Sequence, residues 1–393
     1  MLLYTVYVIL GCSVWCLGLI YLLWMMSRLV KLTDVTDTMS PPASWPRLSI
    51  VIPACNEAPY IESALKSLLA QDYPKIEIIV VNDRSTDDTG RIIERLASED
   101  SRITPIHIES LPAGWLGKVH ALHRGVQHAR GEWLLFTDAD VHFAPGCLRR
   151  AINYAVHTRA DHLALLPRLV TKNFWLAVAV RSFGLLFLYK SHAASIERAD
   201  NQHYIGIGAF NLVRRQVFEQ TPGFEWLRLE PGDDAALGMM MKQAGGKIRF
   251  ALADDLLSLG WYPNVRAMFR GMEKNLFGVG AHYQWWRVLS QTIQICLLVV
   301  APLLGLFIGF GLLHPLLCLP ALLVVLLQIV FALVIADKNI RDIVSLLLFP
   351  AGLLLVNAML IYAAYRCLRQ QGIQWRGTHY PLAELKAGQR IRF

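Results

Sequence analysis

Trp133-Leu134-Leu135-Phe136-Thr137-Asp138-Ala139-Asp140 is an apolar run that ends in two carboxylates one residue apart. The order predicts a buried strand delivering both acids to its C-terminal edge, the edge of an open α/β sheet at which ligands bind. Two acids so close repel each other unless a hard cation bridges them. Oxygen ligands of this kind suit Mg²⁺ or Mn²⁺ holding a diphosphate. An isolated Asp-x-Asp is more often a solvated turn, so the segments around it must decide.

Upstream, the β-branched run Leu48 to Pro53 ends in Ala54-Cys55-Asn56-Glu57 and reads as a strand meeting a loop. Ile61, Ala64, Leu65 and Leu68 then recur at helical spacing. Ile76 to Val81 is a second strand, closed by Asn82-Asp83-Arg84-Ser85-Thr86-Asp87-Asp88 and followed by a helix to about Ala97. Ile103 to Ile108 is a third strand and Gly117 to Ala129 a third helix. Strand and helix alternate, which predicts a mostly parallel sheet covered on both faces. Each polar cluster falls at the C-terminal end of a strand. Asp83 could accept hydrogen bonds from a base or ribose, although Asp and Ser after a strand also start helices. In Leu111-Pro112-Ala113-Gly114-Trp115-Leu116-Gly117-Lys118, glycines, a helix N-terminus and the Lys118 cation together favour a phosphate, without the spacing of a P-loop.

Downstream, Asp161 to Val170 and Tyr204 to Val213 read as further strands. The second carries Gly206-Ile207-Gly208, a weak nucleotide signal that a close-packed strand with a bulge explains nearly as well. Between them, Phe174 to Leu188 reads as a helix packed under the sheet or resting on a bilayer. Glu230-Pro231-Gly232-Asp233-Asp234 precedes a helix, so these acids either cap it or include a general base.

Over the whole chain of 393 residues, 54% are hydrophobic and 17% charged, and the mean hydropathy of +0.39 exceeds that of an ordinary soluble protein. The excess is local. Leu2 to Met26 carries no charge and is followed by Arg28 and Lys31, which predicts an uncleaved anchor whose C-terminal end faces the cytoplasm. A second apolar block from Val288 to about Tyr365 divides at His314-Pro315 and at Asp337-Lys338 into three stretches long enough to span. The predicted organisation is a membrane anchor at 1–27, an α/β domain at 46–286, membrane helices at 288–365 and a basic tail at 366–393. The tail holds Arg366, Arg369, Arg376, Lys386, Arg390 and Arg392 against Glu384, and by the charge rule it is cytoplasmic. One anchor followed by three full crossings would put that tail outside, so either one C-terminal segment is re-entrant or the first segment lies in the interface. Pro350, Gly352 and Asn357 make Ile343 to Tyr365 the least regular candidate. Trp261 to Trp286, with Arg270 and Lys274, fits an interfacial segment whose cations could also meet a departing diphosphate. The net charge of +8 suits anionic lipid and anionic substrates, and no motif for nucleic acid accompanies it. Seven scattered cysteines show no zinc spacing and read as reduced.

These pieces, in this order, resemble the inverting family-2 glycosyltransferases with a GT-A fold. The matching residues are Val51 to Glu57, Val81 to Asp87, Gly117-Lys118, Asp138-Ala139-Asp140 and Asp233-Asp234. The membrane layout and the stretch Leu111 to Lys118 are similar to the hopanoid-associated and carotenoid-type members. The resemblance implies that Pro53, Glu57 and Asp83 hold the uridine part of a UDP-sugar, with Lys118 near the nucleotide or its phosphates. It implies that Asp138 and Asp140 straddle a Mn²⁺ or Mg²⁺ ion, Asp140 contacting it directly, and that Asp234 is the base, although Asp233 stands where Glu is usual. The later Gln/Arg-x-x-Arg-Trp motif is broken at Arg270-Gly271-Met272-Glu273-Lys274, which favours a single transfer over processive synthesis. The implied protein is a multi-pass enzyme of the inner membrane with a cytoplasmic catalytic domain. It would move a hexose from a nucleotide-sugar to a hydroxyl of a hopanoid, carotenoid or glycolipid acceptor. A catalytically idle nucleotide-sugar-binding scaffold and a polyprenyl-phosphate sugar transferase are the alternatives.

Overall fold

The computed structural model of the protein describes residues 2–198, 200–311, 315–336 and 339–391. Met1, His314 at one expected break, Asp337 and Lys338 at the other, and Arg392 of the tail lie outside them. The chain forms two compact units, one built on a sheet and one of helices.

The sheet unit gathers Leu29–Val170, Ser191–Trp261 and the chain from Gln371 onward. Its strands are β1 (Leu48–Ala54), β2 (Ile76–Asp83), β3 (Ile103–Ile108), β4 (Trp133–Phe136), β5 (His162–Leu166), β6 (Asn211–Arg214) and β7 (Ile248–Leu252). Across the sheet they run β7-β5-β6-β4-β1-β2-β3, and the short strand Val30–Lys31 extends the β7 edge. All neighbours pair in parallel except β6, which is antiparallel to both β4 and β5. The expected α/β architecture with a mostly parallel sheet is therefore present. Central strands are apolar on both faces because both are covered: every residue of β4 is buried, and in β1 only Pro53 is partly exposed. At the β3 edge burial alternates, and Pro105 is tolerated there because an edge strand has one unpaired side. The helices α1 (Ile61–Leu69), α2 (Thr89–Glu99), α3 (Gly117–His128), α4 (Cys147–His157) and α5 (Asp233–Gln243) complete the layers.

Two expected strands are shorter than their apolar patterns. Arg168 and Leu169 leave β5 to pair with Leu257–Leu259 in a separate three-stranded sheet. Residues 204–210 are irregular because they lie directly against the first turn of α5. A Cβ at Gly206 would stand 1.8 Å from the main-chain oxygen of Asp234. The space for a regular ladder is taken by that helix.

The helical unit comprises the chain up to Arg28, Thr171–Lys190 and Tyr262–Gln370. It differs from the expected division by claiming Phe174–Lys190, the helix Val265–Ala281 and the first residues of the tail to Gln370, and the sheet unit claims the tail from Gln371. The reason is packing: Leu176, Ala177, Val178 and Ala179 are buried within the helical unit, whereas Leu32, upstream of the expected boundary, is buried in the core of the sheet unit. Five described helices are long and apolar enough to cross a membrane: Leu2–Arg28, Phe174–Ser195, Trp285–Gly311, Leu317–Ile335 and Phe349–Gln370. Their outward residues, such as Leu3, Leu17, Phe307, Leu319 and Leu333, are exposed hydrophobes. The irregularity expected within Ile343 to Tyr365 is confined to Leu348. It ends the short helix Ile340–Leu347, and Pro350 falls in the first turn of the next helix, where its missing N–H costs little. Inside this unit Arg181 pairs with Asp342 at 2.6 Å and with the Ser345 hydroxyl at 2.6 Å, so a charge is neutralised within its own layer. None of the seven cysteines, all of them among the described residues, forms a disulfide.

His162 on β5 is fully buried and its Nε2 is hydrogen-bonded to Asn211 Oδ1 on β6. Burial lowers its pKa to about 4, with the Asn211 hydrogen bond acting weakly the other way. The unfolded chain, with an ordinary histidine near 6.5, then binds the proton more readily between about pH 4 and 6.5. Stability is expected to fall as pH drops through that window, by about 3 kcal/mol at its acid end. Thermal unfolding followed against pH should show this loss, and His162→Gln should flatten it; an unchanged profile in the variant would contradict the assignment.

Candidate active site

The C-terminal edges of β1, β2 and β4 lie side by side, and the loops that leave them carry the predicted site residues. After β4 the chain is held by its backbone. The Asp138 N–H donates to the Gly208 carbonyl at 3.0 Å, and the Thr137 hydroxyl donates to the Ala209 carbonyl at 2.7 Å. The same glycine donates its own N–H to Asp234 Oδ2 at 3.0 Å. A Cβ at Gly208 would lie 2.7 Å from Asp138 Oδ2 and 3.5 Å from Asp234 Oδ2. The carboxylates of Asp138 and Asp234 thus approach each other across Gly208, where a side chain would displace Asp138.

Lys118, in the first turn of α3, reaches Asp138 Oδ1 at 2.8 Å and Asp233 Oδ2 at 3.3 Å. Burial opposes its charge, but Asp138, Asp233 and Asp234 outweigh that and hold its pKa well above the usual lysine range. Pro53, Lys118, Asp138, Gly208, Asp233 and Asp234 line one cleft. The two acids of α5 are distinct. Asp233 is buried against Lys118, while Asp234 accepts from the N–H groups of Gly208 and Ala235. Burial raises the Asp234 pKa, and Lys118 and the two N–H groups oppose the rise. Asn211 donates from its side chain to the Asp234 carbonyl at 3.1 Å, so the His162–Asn211 pair braces this turn from behind.

Glu57, Asp83 and Asp140 are not in the cleft wall, but each adjoins it differently. Burial, then Asp138 and Glu57, push the Asp140 carboxyl up to about 7, which puts these three acids within one another's field. Asp83 is buried and both its oxygens are taken by Arg84, at 2.7 and 3.0 Å. Glu57 forms an ion pair with Arg376. Arg270 and Lys274 belong to the helical unit.

Hard oxygen donors crowded by like charge suit Mg²⁺ or Mn²⁺, which are usually held by one or two carboxylates with the rest of the shell from substrate phosphates and water. Asp138 and Asp140 fit that role. No cluster of three or more His, Cys, Asp or Glu that could hold a metal by itself occurs among the described residues.

Three contributors escaped the sequence reading. Arg84 neutralises Asp83, Asn211 braces Asp234, and Arg376 engages Glu57. For Arg376 a signal was present: Arg376-Gly377 lies between two short β-like runs, the pattern of a two-residue hairpin turn.

Residues 49–221 match the family described as Glycosyl transferase family 2. The 4,4'-diaponeurosporenoate glycosyltransferase of Staphylococcus aureus (strain USA300) is 31% identical over 180 residues, 45% of this chain and 46% of that protein. The chain thus spans about half the length of the curated relatives it matches. A mannosyltransferase from Pyrobaculum calidifontis, solved in complex with GDP-Man and Mn²⁺, aligns with a TM-score of 0.54 at 20% identity. The alignment covers 93% of this chain and 99% of that one, and it is a likeness of fold.

Replacing Lys118 with Met leaves Asp138, Asp233 and Asp234 facing one another without their cation. Binding of a nucleoside diphosphate to the purified chain should weaken at least about tenfold. Calorimetric titration checks this, and wild-type affinity in Lys118→Met would remove the lysine from the site.

Proposed function

We propose that this chain, whose residues 49–221 match the family described as Glycosyl transferase family 2, moves a sugar from a nucleotide-sugar, a UDP-sugar by resemblance, to a hydroxyl of a lipid. The observation that carries the reading is the single cleft in which Lys118 joins Asp138 and Asp233 beside Asp234. One cation with several acids at a parallel-sheet edge is a place for a diphosphate and an attacking hydroxyl.

Pro53, Glu57 and Asp83 border the side where the nucleoside would lie, and Lys118 meets the phosphates. A divalent ion held by Asp138 and Asp140 would supply Lewis-acid stabilisation for the departing nucleoside diphosphate. Asp234 is the proposed base. Its oxygens are aimed by the Gly208 and Ala235 N–H groups, and burial raises its proton affinity toward what a general base needs. It takes the hydroxyl proton as the oxygen attacks the anomeric carbon opposite the leaving diphosphate, which inverts that centre. Asp233, paired with Lys118, holds the lysine in place.

The lipid acceptor rests on two supports: five apolar helices of spanning length and a relative named for a carotenoid substrate. Arg28 and Lys31, directly after the first apolar helix, favour a cytoplasmic sheet unit on the inner membrane.

The test uses the full-length chain in native lipid extract with a panel of labelled sugar nucleotides, with Mn²⁺ or with chelator, and mass spectrometry of the lipid product. Transfer should require the metal. Asp234→Asn should lower turnover by about 100- to 10,000-fold with an unchanged melting temperature. A fully active Asp234→Asn variant would remove the base assignment, and metal-independent turnover would remove the ion.

A further inference from the structure

The last described residues are not a loose basic tail. Gly372–Trp375 and Thr378–Pro381 form an antiparallel hairpin closed by Arg376 and Gly377, both at positive φ (47° and 78°), and the helix Leu382–Gly388 follows. Two left-handed residues in a row match the turn type that suits the twist of a tight hairpin. All of this belongs to the sheet unit.

The hairpin meets the three loops that border the cleft. Arg376 pairs with Glu57, after β1. Thr378 Oγ1 accepts from Arg84 Nη1 at 3.3 Å, after β2, on the guanidinium that neutralises Asp83. The Tyr380 hydroxyl accepts from the Gly117 N–H at 3.3 Å, one residue before Lys118. Beyond the helix, the buried Glu230 carboxylate accepts from the N–H groups of Arg390 and Ile391, at 2.6 and 3.0 Å, and from Gly232 N–H at 3.1 Å. Arg390 also lies over the Trp226 ring at 5.1 Å. The segment is therefore anchored on the turn that leads into Asp233 and Asp234, while its tip reaches Glu57 in the loop after β1.

We propose that Arg376 is a donor-positioning residue, delivered by this hairpin to fix the Glu57 carboxylate and to offset the acids beside it. The inference rests on the transfer reading above. A guanidinium makes a planar, always-charged partner for a carboxylate and stays charged whatever binds beside it. Arg376 keeps 42% of its side chain exposed against 18% for Glu57, so it enters from the solvent side and covers the acid. Without it, Glu57 adds an uncompensated charge beside Asp138 and Asp140, where an anionic donor must approach. Burial already pushes the Glu57 carboxyl up, and Arg376 works against that.

The experiment compares wild type, Arg376→Ala and Arg376→Lys as full-length chains in nanodiscs. UDP and GDP are titrated calorimetrically with Mn²⁺, and KM and kcat are measured for donor and acceptor separately. Arg376→Ala is expected to weaken nucleotide binding and raise donor KM about tenfold, with kcat and acceptor KM nearly unchanged. Arg376→Lys should recover part of the loss, because the charge remains but the planar fork does not. Unchanged nucleotide affinity in Arg376→Ala overturns the inference while leaving the transfer reading intact. A fall in kcat and a rise in both KM values together, with a lowered melting temperature, overturns it in favour of a purely structural hairpin. If wild type binds neither nucleotide, the transfer reading fails and takes this inference with it.

Discussion

The structure around the cleft depends on the bridge from Lys118 to Asp138 and Asp233. The ammonium draws together three pieces far apart in the chain: the first turn of α3, the end of β4 and the start of α5. Such a group is costly to bury alone, and so is each of its acids. Together they are tolerable, and the arrangement holds only while all are present. The same charge that would meet a phosphate therefore also keeps the carboxylates close enough to act on one.

Close backbone approach is the second constraint. Gly206 and Gly208 let the chain before β6 run against the first turn of α5 with no side chain between them. Asp234 is consequently positioned by main-chain N–H groups, which have no rotamers to explore. Asn211 and His162 extend this bracing into the sheet, so a residue at the rim is tied to the packed interior. Such support is what preorganised charge stabilisation requires.

Much of this was legible beforehand. Alternating strands and helices predicted the parallel sheet, and the run from Trp133 to Asp140 placed two acids at its edge. The Asp233-Asp234 pair announced a helix start. What stayed hidden had physical causes. Tyr204 to Val213 looks like a strand because apolar content alone does not reveal that a helix occupies one side of it. Phe174–Lys190 is apolar nearly all round, and such a helix packs equally well under a sheet or beside other apolar helices. In the tail, counting positive charges obscured the hairpin, and the partner of Arg376 is 319 residues away, beyond any local pattern. Pairings between residues so far apart in one chain belong to tertiary structure.

The last point bears on how the protein is made. The sheet unit is discontinuous: its final piece follows Tyr262–Gln370, all of which belongs to the helical unit. On a ribosome, Arg376, Tyr380 and the backbone at Arg390 and Ile391 that Glu230 holds emerge only after Tyr262–Gln370 has been synthesised. Early β–α–β pairing can proceed from nearby contacts, but closure of the rim waits for contacts across the whole of Tyr262–Gln370. Synthesis order alone thus delays a finished cleft rim until the helices long enough to cross a bilayer already exist.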